Sequence, residues 1–227
     1  MRTRLKVCCI SSVEEAALAV RQGADALGLV GEMPSGPGPI ADALIREIAQ
    51  AAPPGVATFL LTSRTEPDAV VDHVLSVGVN TVQLVDDVPE ETYAALRQSA
   101  PSVKIVQVLH VQDRGVVQEA ERVGAWVDAI LLDSGRPGAA VKELGGTGRV
   151  HDWALSAEVV RRVGRPVYLA GGIRPENVGE AMRLVRPFGI DLCSGVRTNG
   201  GLDAGKLGAL VMAMRGADGG QGGERGV

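Results

Sequence analysis

Large aromatic side chains are scarce, with Phe, Tyr and Trp together at 3% of the chain. That leaves few of the stacking platforms on which single-stranded nucleic acid is held. Positive charge is short as well: 23 Lys and Arg stand against 27 Asp and Glu, for a net charge of −4. A general electrostatic grip on nucleic acid is thereby excluded, while a local basic patch is not. No apolar run approaches the ~18–20 residues that span a bilayer. The basic start, Met1-Arg2-Thr3-Arg4, runs into a short strand rather than a signal-peptide core, so a cytoplasmic location is the default expectation. There are 3 cysteines, two of them adjacent at Cys8 and Cys9. An odd count in that spacing is neither a disulfide framework nor a zinc site. Buried inert thiols are the plain expectation and a reactive thiol the alternative. No His, Asp or Glu cluster has metal-ligand spacing, and the first strand leads to Ser11-Ser12 instead of a dinucleotide-binding glycine fingerprint.

What the chain does have is rhythm. Its 227 residues, 45% of them hydrophobic, suit one large domain with a substantial core. Short apolar or β-branched runs predict strands at Leu5–Ile10, Ala26–Val30, Val56–Leu61, Thr81–Val85, Lys104–Leu109, Ala129–Asp133, Val167–Ala170 and Ile190–Cys193. Amphipathic stretches between them predict helices at Val13–Gln22, Asp68–Val77, 90–99, Gln112–Val123, Ser156–Val163, Pro175–Val185 and Asp203–Met214. No helix is assigned between Val30 and Val56. Ser12 is a cap for the first helix, and Gly23, Gly78 and Gly124 sit where helix C-terminal glycines belong. Eight strands alternating with helices predict parallel βαβ units. The expected fold class is α/β, a single (β/α)8 TIM barrel over residues 1–215, with a doubly wound open sheet as the rival. Residues 216–227, rich in glycine, are expected to be a disordered tail.

The run Gly171-Gly172-Ile173-Arg174-Pro175-Glu176-Asn177 follows the seventh strand, and Ser194-Gly195 follows the eighth. Glycines directly after strands let backbone N–H groups approach an anion, and a helix N-terminus adds partial positive charge. Two such turns on the last two strands of a barrel predict a phosphate clamp, and therefore a phosphorylated small-molecule ligand.

Strand alternation places Lys6, Cys8 and Ile10 on one face, and Leu5, Val7 and Cys9 on the other. If Lys6 and Cys8 point inward, the ammonium favours a Cys8 thiolate and makes it a usable base; a solvated Lys beside buried small residues is the bland alternative. Asp133 closes the run Ala129-Ile130-Leu131-Leu132, the place for a general acid whose pKa burial raises, though caps and turns use the same pattern. The loop Gly145-Gly146-Thr147-Gly148 can fold over a ligand and donate N–H groups. Gln83, inside the fourth strand, needs a partner if buried and is a candidate substrate contact. His110 ends the fifth strand, a position suited to a site residue. Trp153 is read as packing, and His73 as a helix residue facing solvent.

Taken together these motifs resemble the phosphoribosylanthranilate isomerase family of tryptophan biosynthesis, over nearly all of residues 4–210. The likeness is carried by Lys6-Val7-Cys8, the 23–28 segment ending in Gly28, Val82-Gln83-Leu84, Leu131-Leu132-Asp133-Ser134 and Gly145–Gly148 with Asp152-Trp153. Ala170-Gly171-Gly172 with Pro175 and Asn177, and Asp191 with Ser194-Gly195-Val196, complete it. The resemblance implies Cys8 as general base and Asp133 as general acid in an Amadori rearrangement of an N-(5-phosphoribosyl) amine. Lys6, Gln83 and His110 would contact substrate. Gly146, Thr147, Gly148, Gly171, Gly172, Ser194 and Gly195 would hold phosphate. It implies no metal and no organic cofactor, because the iminium intermediate is itself the electron sink, and a monomer or homodimer without nucleic-acid or membrane partners.

The departures fall on one side of the site. Cys9 replaces the family's glycine after the base, and Cys193 replaces a serine. Gly38 stands where the family has an arginine for the anthranilate carboxylate, and Val85 where it has a histidine. Arg149 or Arg197 could substitute for that cation. A paralogue acting on another phosphosugar, and a non-catalytic phosphosugar-binding protein, therefore stay open as alternatives.

Overall fold

The structure, a computed structural model, describes residues 2–135, 144 and 151–220. Eight parallel strands close on themselves in chain order: β1 (Arg4–Val7), β2 (Ala26–Val30), β3 (Ala57–Thr62), β4 (Thr81–Leu84), β5 (Lys104–His110), β6 (Ala129–Asp133), β7 (Val167–Leu169) and β8 (Gly189–Leu192). The seam is sealed by β1 on β8, with Lys6 opposite Asp191 and Val7 opposite Leu192. Around them run α1 (Val13–Arg21), α2 (Asp42–Ala51), α3 (Pro67–Val77), α4 (Glu90–Ser99), α5 (Gly115–Val123), α6 (Trp153–Arg162), α7 (Val178–Val185) and α8 (Ala204–Gly220). A closed barrel rather than an open sheet is thus the architecture. Among the described residues no helix is long and apolar enough to cross a membrane.

Period-2 alternation divides the core into two layers. Phe59 and Leu61, Val106 and Val108, Ala129 and Leu131 fill the barrel interior. Leu60, Leu109, Ile130 and Leu132 face the helices. The interior is closed below by Tyr168, whose ring meets Phe59 and Phe188 edge-on at 5.9 and 5.3 Å between centroids. A filled base leaves the opposite, C-terminal rim as the place for a ligand.

Several boundaries differ from expectation for physical reasons. Helix α2 was not foreseen, yet Ile45 and Ile48 bury one of its faces completely. Helix α7 begins at Val178, not Pro175. The intervening residues are held in a turn by Asn177, whose Oδ1 accepts from Arg174 N at 2.9 Å while its Nδ2 donates to Gly172 O at 2.9 Å. Helix α8 continues through Gly216 to Gly220, residues expected in the tail. Its extension is tied down by Asp218, which accepts from Thr3 N and Thr3 Oγ1. Gly23 and Gly78 adopt the left-handed conformation expected after a helix, whereas Gly124 stays right-handed at φ −57.

His73 corrects the sequence reading most plainly. It is buried, not solvated, with Nδ1 3.0 Å from Thr62 Oγ1 and Nε2 3.1 Å from Asp42 Oδ1. Burial lowers its pKa despite the neighbouring Asp42. It joins α3 to α2 and to the C-terminal end of β3, and it does not line the rim cleft.

Candidate active site

At the C-terminal rim a cleft is lined by Cys8, Gln83, Asp133, Gly171, Gly172, Asp191, Ser194 and Gly195, with Val30, Met33, Leu61 and Val85 on its apolar side. Each polar member comes from the end of a strand or the turn after it, so five strands or their turns contribute, β1, β4, β6, β7 and β8, while β2 with its loop and β3 supply apolar lining. Cys8 points into the barrel, is a free thiol and is buried. The room for it comes from β2. A Cβ on Gly28 would lie 2.8 Å from Cys8 Sγ and 3.1 Å from Lys6 Nζ, so only glycine fits opposite these two side chains. An isolated glycine inside an apolar strand was the sequence signal for this close approach.

Lys6 does not line the cleft. It is wholly buried beneath the floor, where Nζ donates to Asp191 Oδ1 at 2.9 Å and lies 5.2 Å from the Phe59 ring centroid. Burial works against its charge, but Asp191 and the Cys8 sulfur outweigh it, and the ammonium is held above its usual range. Lys6 favours the Cys8 thiolate, as expected, but it is not the largest influence. Burial dominates and pushes the Cys8 thiol up to about 11, with Lys6 pulling down and Asp191 pushing up. Asp133 moves the same way: burial raises it to about 6, although Ser134 N donates to its Oδ1 at 2.7 Å. The sum is a thiol and a carboxyl that together hold one proton across the neutral range, resting on sulfur.

Gln83 is buried, and its Oε1 has no hydrogen-bond partner among the described residues. An orphaned acceptor at a cleft wall costs about 1–3 kcal/mol unless a ligand or water satisfies it, which suits a ligand hydroxyl. His110 is not brought to this cleft. It lines a second cavity with Asp86, Asp87, Asp113 and Glu119, and burial lowers its pKa. Gly146, Thr147 and Gly148 lie outside the described residues, as does Arg149. Arg197 is already engaged: it pairs with Glu15 at 3.1 Å and donates to the carbonyls of Cys8 and Cys9.

The two glycine turns meet. Gly171 and Gly172 have φ of 81 and 64, and Ser194–Val196 forms a single 3-10 turn. A Cβ on Gly195 would sit 2.2 Å from Ile173 O, so the turn after β8 rests directly on the turn after β7. Gly195→Ala must push the two apart. Charge-assisted bonds to a phosphoryl group are worth about 1.5–3 kcal/mol each, so a phosphorylated substrate's KM is expected to rise about ten- to a hundredfold. Steady-state kinetics checks this, and an unchanged KM would mean the anion sits elsewhere.

Strand alternation failed at one residue. Cys9 has φ 62, a left-handed conformation uncommon outside glycine. It reverses the side-chain order, so Cys9 turns inward and Ile10 packs outward among the helices. Turned inward, Cys9 is joined by a disulfide to Cys193, a pairing that cysteine spacing did not suggest. Among the described residues no group of His, Cys, Asp and Glu could hold a metal ion.

The profile described as N-(5′-phosphoribosyl)anthranilate (PRA) isomerase matches residues 5–213. The chain belongs to the N-(5′-phosphoribosyl)anthranilate isomerase family. It is 39% identical over 199 residues to N-(5′-phosphoribosyl)anthranilate isomerase 2 of Methanosarcina mazei, covering 87% of each chain. To the isomerase of Haloferax volcanii it is 37% identical over 219 residues, covering 96% of this chain and 95% of that one. Phosphoribosyl anthranilate isomerase of Thermus thermophilus superposes with a TM-score of 0.79 at 30% identity, covering 94% and 99%. An isomerase solved with reduced 1-(o-carboxyphenylamino)-1-deoxyribulose 5-phosphate gives 0.77 at 29%, with the same coverage. The chain is an enzyme of the isomerase class, and the ligand in that complex is a 5-phosphate.

Proposed function

We propose that the protein converts N-(5′-phosphoribosyl)anthranilate to 1-(o-carboxyphenylamino)-1-deoxyribulose 5-phosphate, with Cys8 as base and Asp133 as acid. The observation that carries this reading is the convergence of Cys8, Asp133 and the two glycine turns on one cleft. Asp133 donates its proton to the ring oxygen, the C1–O bond breaks, and the anilino nitrogen's lone pair forms a C1=N iminium. The Cys8 thiolate removes the C2 proton, and the electrons move into C1=C2 and neutralise the iminium. Ketonisation places one proton on C1 and takes one from the C2 hydroxyl, which returns the pair to thiolate and acid. Gln83 Oε1 accepts from a sugar hydroxyl, and the Gly171–Gly172 and Ser194–Gly195 amides hold the phosphate. Val30, Met33, Leu61 and Val85 cover the aromatic ring.

Growth of a tryptophan auxotroph lacking this isomerase tests the assignment. Rescue supports it. A well-expressed protein that gives no rescue favours a paralogue with another aglycone, the reading to which Gly38, in place of a carboxylate-binding arginine, lends weight.

The proton count predicts the pH profile. The working pair has one proton, held as Cys8 thiolate with Asp133 acid. A second proton enters as pH falls through about 6, and the last one leaves as pH rises through about 11. Log kcat/KM is therefore expected to plateau between these values and fall by one per pH unit on either side. A decline setting in near pH 8 would contradict the assignment of Cys8 as the buried partner.

A further inference from the structure

Cys9 and Cys193 lie on either side of the β1–β8 seam, 184 residues apart in sequence, with Cα atoms 5.9 Å apart. That separation is within the range a disulfide spans, and both residues line the active-site cleft. Cys193 is half-buried at the mouth, and Cys9 is buried behind it. A reagent entering the cleft therefore meets Cys193 first.

Each partner is fastened to a working part of the site. Cys193 immediately precedes the Ser194–Val196 turn. Cys9 follows Cys8 directly, and its carbonyl is gripped by Arg197, which is held by Glu15 of α1. The loop after β2 has made way for this arrangement: a Cβ on Gly38 would lie 2.7 Å from Cys9 Cβ and 3.0 Å from its Sγ. Side chains at positions 9 and 38 thus exclude one another.

We infer that Cys9 and Cys193 form a reversible dithiol–disulfide switch that sets how firmly the Ser194–Gly195 turn holds the substrate's phosphate. The inference rests on the isomerase reading for its effect on turnover, but not for the bond itself. The co-reactant is a low-molecular-weight disulfide, RSSR. The Cys193 thiolate attacks one of its sulfurs, expelling RS⁻ and leaving Cys193–S–SR. The Cys9 thiolate then attacks the Cys193 sulfur and expels the second RS⁻. Two thiols are oxidised, one RSSR is reduced to two RSH, and the protons pass from the protein thiols to the leaving thiolates. In the oxidised form the turn after β8 is covalently tied to the entrance of α1. In the reduced form the turn loses that covalent tie and is held by its close approach to Ile173, the Asp203 N–Val196 O bond and the Arg197 contacts that follow it.

The full-length chain, equilibrated with graded ratios of oxidised and reduced dithiothreitol, quenched in acid, thiol-tagged and mapped by peptide mass spectrometry, tests this. In the same samples, calorimetry gives the dissociation constant of inorganic phosphate, and turnover gives KM and kcat. Cys9 and Cys193 are expected to lose their tags together in one two-electron transition while Cys8 keeps its own. Across that transition the phosphate constant and KM should fall about fivefold or more, with kcat changing less than about twofold. Cys193→Ser should abolish both shifts, and should it fail to fold the wild-type titration decides alone. Tags retained on Cys9 and Cys193 at the most oxidising ratio, Cys8 found in the bond, or a phosphate constant indifferent to redox state would each overturn the switch. Absence of turnover in both states would instead count against the isomerase reading, leaving tags and phosphate binding to judge the switch.

Discussion

Cys8→Ser and Asp133→Asn are each expected to lower kcat/KM by at least about a hundredfold, the usual scale of a positioned acid or base, while phosphate affinity stays close to wild type. Serine is nearly isosteric with cysteine, but its hydroxyl does not ionise in the accessible range, so it cannot act as the thiolate. Asparagine keeps an oxygen to accept from Ser134 N, which donates to Asp133 at 2.7 Å in the native site, but it has no carboxyl proton to deliver. Neither change empties a cavity or strands a charge, so a loss of rate cannot be blamed on unfolding. The two variants should also differ from each other. With the base gone, removal of the C2 proton becomes the slow step, and deuterium at C2 should slow Cys8→Ser markedly. With the acid gone, ring opening limits, and the same label should leave Asp133→Asn almost indifferent. Full activity in either variant, or an isotope effect in the opposite order, would show that the roles are misassigned.

How much of this was legible beforehand follows from the range over which each signal acts. The apolar run of β6 put Asp133 at a strand's end, and the Gly171-Gly172 and Ser194-Gly195 turns marked the end proposed for the anion, because strand ends and turn chemistry are local. Parity failed at Cys9, where a left-handed residue that is not glycine leaves no trace in the side-chain pattern. The helix after β2 was missed because Pro34–Pro39 reads as one long loop, although Ile45 and Ile48 have helical spacing. His73 was misread because its partners, Thr62 and Asp42, lie on other elements. Arg197 looked available until Glu15, far away in sequence, was seen to claim it. The Cys9–Cys193 contact, like the Lys6–Asp191 pair, exists only because the last strand closes on the first.

That closure makes Lys6→Met the most destabilising single change expected here. Asp191 would be left as a buried carboxylate without its 2.9 Å partner, and breaking a buried pair by removing one member costs about 3–5 kcal/mol. For a domain of this size each kcal/mol shifts Tm by roughly 2–4 °C, so thermal unfolding should show a drop of about 10 °C. Pairing the change with Asp191→Leu removes the stranded charge, and replacing a whole buried ion pair with apolar groups is often neutral or stabilising. The double variant should therefore regain most of the lost stability. It should not regain the rate. Among the charges acting on the Cys8 thiol, the downward pull of Lys6 exceeds the upward push of Asp191, so removing both leaves the sulfur harder to ionise and moves the alkaline limb of the pH profile upward. A double variant recovering both Tm and kcat/KM would reduce the pair to a packing device. Stability recovered without activity identifies Lys6 as a positioning residue that acts through Cys8 without touching substrate.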